Sequence, residues 1–118
     1  TDKRAVYAQN LQLTDAESRA FWPIYDEYEG KAKKLNDEFL ALVDDYAAKF
    51  GAMTDADATA MLKKKMQIEK DREALKQAYT KKVAKALPPV KALRYAQIET
   101  RLDNMIRRDV YGLIPLAQ

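Results

Sequence analysis

Asp55, Asp57 and Thr59 stand at alternate positions, as the first oxygen ligands of a calcium loop do. Such a loop needs Gly at its sixth position to turn and a bidentate Glu at its twelfth. The sequence has Ala60 and Met66 there. These acids read instead as helix-start residues, where carboxylates complement the positive end of the helix dipole. Asp44-Asp45 and Asp26-Glu27 are carboxylate pairs on adjacent residues. On a helix, adjacent side chains diverge by about 100°, so these pairs belong to a solvated face. Ser18 is the only serine, and the chain has no His to activate it. With no Cys and no His in 118 residues, zinc fingers, thiolate chemistry, a histidine base and a Glu-x-x-His di-iron site are all excluded. No catalytic residue, metal site or cofactor is expected, and the chain reads as a non-enzyme.

The side chains left with something to offer are cations and aromatics. The net charge of +3 conceals an asymmetry: residues 14–61 carry 11 acids and 5 bases, whereas residues 62–101 carry 12 bases and 4 acids. Two readings are open. Opposite charge on two antiparallel arms would specify their pairing, as flanking charges do in coiled coils. Alternatively, Lys63, Lys64, Lys65, Lys81, Lys82, Lys85, Lys91 and Arg94 include a patch presented to an anionic partner. Nucleic acid is not expected, because neither a compact helix-turn-helix nor an RNP-type Gly/aromatic pattern is present. A membrane-surface role would need a more strongly apolar opposite face than this basic segment has. No run of about 18 apolar residues could span a bilayer.

These residues must be positioned by helices. Phe21, Tyr25, Tyr28, Ala32, Leu35, Phe39, Leu42 and Tyr46 alternate at spacings of 4 and 3, one continuous packing seam. Thr14 and Glu17 form a capping box, so a long helix is expected over about 15–50, with Gly51 as its C′ residue. Pro23 predicts a kink near that residue without a change of seam. Gly30 either allows a close helix approach or is merely tolerated. Thr54 caps a second long helix over about 55–86, with the seam Ala58, Met61, Lys65, Ile68, Arg72, Leu75 and Tyr79. Leu87-Pro88-Pro89 stops it. A third long helix over about 89–111 carries Val90, Leu93, Ile98, Leu102, Met105 and Ile106. Residues 2–10 make a short helix, and 112–118 an apolar tail that packs on the bundle or meets a partner. The expected fold is all-α: a single domain over 1–118, an elongated antiparallel bundle or hairpin of three long helices plus the short N-terminal one. A helix over 15–50 would be about 54 Å long, whereas a compact globule of this size is only about 35–40 Å across.

A hairpin turning near Ala52 sets Phe39 near Lys65 and Ala32 near Arg72, with Glu38 in reach of Lys65 and Glu29 of Arg72. Lys65 and Arg72 then either pair within the seam or line a binding surface. Trp22 stands one helical step off the seam, and Ile24 flanks it on the other side. Together they widen the apolar surface near the bend and are candidates for binding apolar segments of another chain. Met53, Met61, Met66 and Met105 supply either adaptable contact surface or core filling.

Leu13-Thr14-Asp15-Ala16-Glu17, at the start of a long helix, resembles the Leu-Thr-x-x-Gln motif of the Spy/CpxP-like family of small, all-helical periplasmic stress proteins. Met53-Thr54-Asp55-Ala56-Asp57 looks like a second copy. The stretches Gln97-Ile98-Glu99-Thr100-Arg101-Leu102 and Ile114-Pro115-Leu116 also resemble exported proteobacterial proteins of similar size. The resemblance implies a periplasmic location, although no signal peptide is present in this chain. It also implies a bent hairpin cradle, a homodimer, and a chaperone-like or stress-adaptor role that binds non-native polypeptides through apolar and cationic residues without ATP. Trp22, Ile24, Lys65 and Arg72 would then be the binding residues, and Leu13, Thr14 and Glu17 the family motif. The alternatives are a structural or regulatory coiled-coil protein with one specific protein partner, and a periplasmic sensor related to metal-resistance proteins. A His-free chain could retain only carboxylate metal sites in that last role.

Overall fold

The computed structural model describes residues 2–118. It is all-α: α1 (Lys3–Leu11), α2 (Asp15–Lys49), a 3-10 turn (Phe50–Ala52), α3 (Asp55–Ala86) and α4 (Pro89–Tyr111), with no strand among the described residues.

Each start is written locally. The Asp2 carboxylate accepts from the amides of Arg4 and Ala5 at 3.1 and 3.4 Å, capping α1. Thr14 Oγ1 accepts from the Glu17 amide at 3.2 Å, and the Thr14 amide donates to Glu17 Oε1 at 2.9 Å. That is the reciprocal capping box, and Thr54 with Asp57 repeats it at 3.1 and 3.2 Å with a shorter acid. Pro89 opens α4, where its missing amide removes nothing. α2 runs unbroken through Pro23. Gly51 follows the end of α2 as expected, but not in the left-handed conformation common at that position. No glycine has positive φ, and α2 instead tightens into the 3-10 turn that contains Gly51.

By their contacts, the described residues fall into two compact units: residues 2–25 with Tyr79–Leu116, and Asp26–Ala78 with the last two residues. In the first, α1, the start of α2, the end of α3 and α4 enclose Tyr7, Leu11, Phe21, Tyr25, Val83, Leu87 and Tyr95. The Tyr7 ring stacks on Tyr95 at 5.4 Å and meets Tyr25 edge-on at 5.4 Å. Phe21 meets Tyr95 edge-on at 5.7 Å. Such pairs add roughly 0.5–1.5 kcal/mol each beyond area burial.

The second unit is the hairpin of α2 and α3, with Tyr28, Phe39, Met61 and Ile68 buried between the arms. The α3 seam holds as expected from Met61 to Tyr79, with Lys65 and Arg72 half-buried in it, but Ala58 is exposed. Lys49 and Asp57 face each other across the turn at 3.8 Å. Glu38 meets Lys64 at 3.9 Å, one position short of the expected Lys65. The pair 38 and 64 is centred on Gly51, the middle of the 3-10 turn, rather than on Ala52.

On α4 the expected face is partly wrong. Ile98 and Leu102 pack against the core, but Val90, Leu93, Met105 and Ile106 are exposed, and Tyr95 and Glu99 are buried instead. The cause is α1: it lies along α4 and fixes the inward face by what Tyr7 contacts.

Candidate functional site

Two features outside the apolar core carry polar chemistry. The first lies where α1 meets α4. Glu99 is 5% exposed, the buried charged residue of the first unit. Its carboxylate accepts from the Tyr7 hydroxyl and from Lys3 Nζ at 3.3 Å. Burial first, and the Glu99 charge second, hold the Tyr7 phenol far above its ordinary range. The phenol therefore stays a donor through the neutral and mildly alkaline range. One helical turn before Tyr95, Lys91 Nζ donates to the Gln12 carbonyl at 2.8 Å and to Glu17 Oε1 at 2.6 Å. Arg94 donates to the carbonyls of Asn10 and Leu11 at 3.4 and 3.2 Å. These two cations satisfy the carbonyls left open where α1 ends and sit at the negative end of its dipole. The Lys91 hydrogen bond, backed by the Thr14 amide, holds the Glu17 carboxyl below the usual carboxylate range. Thr14 and Glu17 thus form the motif cap and also anchor α4, while Leu13 packs at the edge of the same core.

Trp22 and Ile24 are partly buried against that core. Trp22 meets Phe21 and Tyr25 edge-on at 4.9 and 5.3 Å, and the Arg4 guanidinium lies 4.2 Å from its ring. Its outer face is therefore covered by a cation–π contact. Lys65 and Arg72 belong to the second unit. Lys65 bonds Glu69 on its own helix at 2.5 Å. Arg72, expected beside Glu29, places its guanidinium 5.8 Å from the Phe39 ring. The four residues are thus divided between units, two and two.

Comparison with protein-family models, curated proteins and solved structures gives no match.

The second feature is the outward side of α3. Thr59, Leu62, Lys63, Met66, Gln67 and Lys70 line a shallow depression there. Their spacing of three and four places them on one helical face. Leu62 is 59% and Met66 62% exposed, and neither Lys63 nor Lys70 has an ion-pair partner among the described residues. By contrast, Lys31, Lys33, Lys49, Lys64, Lys65 and Lys91 are all paired with carboxylates. The heptad seam points away from this face, so a search for the buried stripe passes over it. The signal that could have found it is an i, i+4 apolar pair in a lysine-rich segment. Among the described residues no group of three or more acidic side chains is placed to hold a metal ion, and no helix is long and apolar enough to cross a membrane.

Proposed function

We propose that this chain is a non-enzymatic, chaperone-like or stress-adaptor protein of the periplasm that binds non-native polypeptide segments through an apolar and cationic helical face. The observation that carries the reading is the α3 face: Leu62 and Met66, both more than half exposed, share it with the unpaired Lys63 and Lys70. Large apolar side chains held in water lose hydration-driven stabilisation that an unfolded client restores, and neither contact requires a shaped pocket. Lysines without internal partners attract acidic segments over about a Debye length, roughly 8 Å at physiological ionic strength, and so raise encounter rates. Met66 adds a deformable surface suited to varied sequences. The periplasmic placement and the stress role rest on the resemblance carried by Leu13, Thr14 and Glu17.

The test is suppression of light scattering by an aggregating client. The wild-type chain at several-fold molar excess lowers the scattering. Leu62→Gln with Met66→Gln, on an exposed face and therefore without loss of helix content by circular dichroism, abolishes most of that effect. Absence of suppression by the wild type refutes the reading. Capture of a single stoichiometric partner in a pull-down, in place of a broad client set, would favour a dedicated coiled-coil partner instead.

A further inference from the structure

α1 lies in a groove formed by the start of α2 and by α4. α1 touches it in a simple grammar. Lys3, Tyr7 and Leu11 are spaced four apart on one face; Tyr7 and Leu11 are fully buried, and Lys3 reaches Glu99. That is the i, i+4, i+8 pattern by which an amphipathic helix docks into an apolar groove. The groove answers with the Phe21, Tyr25 and Tyr95 rings around Tyr7, and with Glu99 at its floor. Its remaining hold is indifferent to sequence. Lys91 and Arg94 grip main-chain carbonyls of Asn10, Leu11 and Gln12, which the C-terminus of any docked helix offers.

Three observations make α1 separable. It has nine residues, fewer than the ~12–15 an isolated helix needs, so docking is what keeps it helical. Its link to α2 turns at Gln12, which has φ 54, the one positive-φ residue described that is not glycine; that strained backbone is relieved when the link opens. The groove floor is a carboxylate, which water solvates on opening, so an emptied groove is not wholly apolar.

We propose that α1 is a displaceable in-chain ligand, and that the groove it covers binds an amphipathic helical segment of another polypeptide with the pattern cation-x-x-x-aromatic-x-x-x-Leu. This site is independent of the α3 face: it lies in the other unit, is masked in the resting chain, and selects its ligand through Glu99.

The experiment uses the full chain and a fluorescently labelled peptide of residues 2–12. Leu11→Ala weakens docking of the in-chain segment and raises the fraction of open groove. The variant therefore binds the peptide at least about tenfold more tightly than the wild type does. A peptide with Ala at the place of Tyr7 does not bind. In the wild type, hydrogen exchange shows the α1 amides opening while α4 stays protected. The proposal is overturned if the variant, still helical, gains no affinity for the peptide. It is equally overturned if the α1 and α4 amides of the wild type exchange in one joint event, a measurement that needs no variant to fold.

Discussion

The Tyr7–Glu99 contact can be isolated by a double-mutant cycle, and its size follows from burial. Tyr7→Phe keeps the ring that stacks on Tyr95 but removes the hydroxyl, so a carboxylate that is 5% exposed loses a donor while Lys3 still reaches it. A hydrogen bond to a charged group contributes roughly 1.5–3 kcal/mol, and stranding its buried acceptor is the larger part of the loss. A destabilisation of about 2 kcal/mol is expected, or roughly 8 °C in Tm for a chain of this size. Glu99→Leu strands the phenol instead, and Lys3, at its more open edge, turns to water. That variant loses about 1–3 kcal/mol. The double variant replaces both partners with apolar groups of similar shape, so it is less destabilised than the two single losses added together. The coupling energy should be about 2 kcal/mol in urea unfolding followed at 222 nm and by Trp22 fluorescence. A coupling below about 0.5 kcal/mol, within the additivity of unconnected sites, would refute the claim that this pair holds α1 to α4.

The same phenol sets an alkaline limit. Because its folded value is raised, its contribution is complete below the unfolded phenol value near 10 and declines by about 1.4 kcal/mol per pH unit above it. The stability gap between wild type and Tyr7→Phe therefore narrows between pH 9 and 11, and an unchanged gap contradicts the assignment. At the acid end, Glu17 is lowered by Lys91, so its contribution is present above the ordinary carboxylate range and disappears as pH falls through its folded value; Lys91→Met should move the Glu17 titration, read by NMR, up toward that range. Thr14→Ala removes the cap of α2 and should cost about 1 kcal/mol, seen as a lower urea midpoint at unchanged m-value. Gly30→Ala should stabilise by about 1 kcal/mol, because a Cβ there meets nothing within 4 Å and the residue is mid-helix with negative φ. A loss of stability at that position would show that the glycine serves a close approach after all.

Most helix boundaries were legible because the forces that set them act within four residues. Thr14 with Glu17, Thr54 with Asp57, and Pro89 each satisfy or remove amides on the spot, and the structure places the starts of α2, α3 and α4 at the residues they indicate. Along the hairpin, the seam from Tyr28 to Phe39 and from Met61 to Leu75 followed equally from spacing, since within that unit each arm has only the other to pack against. The turn was the weak point: whether Gly51 ends a helix in left-handed geometry or in a 3-10 turn depends on how the arms close. A difference of one residue there decides whether Glu38 finds Lys64 or Lys65.

The face of α4 was not legible, for a reason that also explains the candidate groove. Hydropathy ranks Val90, Leu93, Met105 and Ile106 above Glu99, yet the structure exposes the four and buries the acid. A charged residue is interior when a partner brings the matching donors, and those donors, Tyr7 and Lys3, lie more than ninety positions away in sequence. The spacing of Lys3, Tyr7 and Leu11 contains half of that information, and Lys91, Tyr95 and Glu99, also four apart, contain the other half. Neither triplet looks like a core stripe alone, because each mixes charge with aromatic carbon. Set against one another they are complementary: tyrosine meets tyrosine, lysine meets glutamate at one end, and Lys91 meets the carbonyls that end α1 at the other. An interface built in that way depends on matching polar positions as well as on apolar area. It fixes where α1 docks along α4, and it provides the chemical terms on which a segment with the same spacing would compete for the groove.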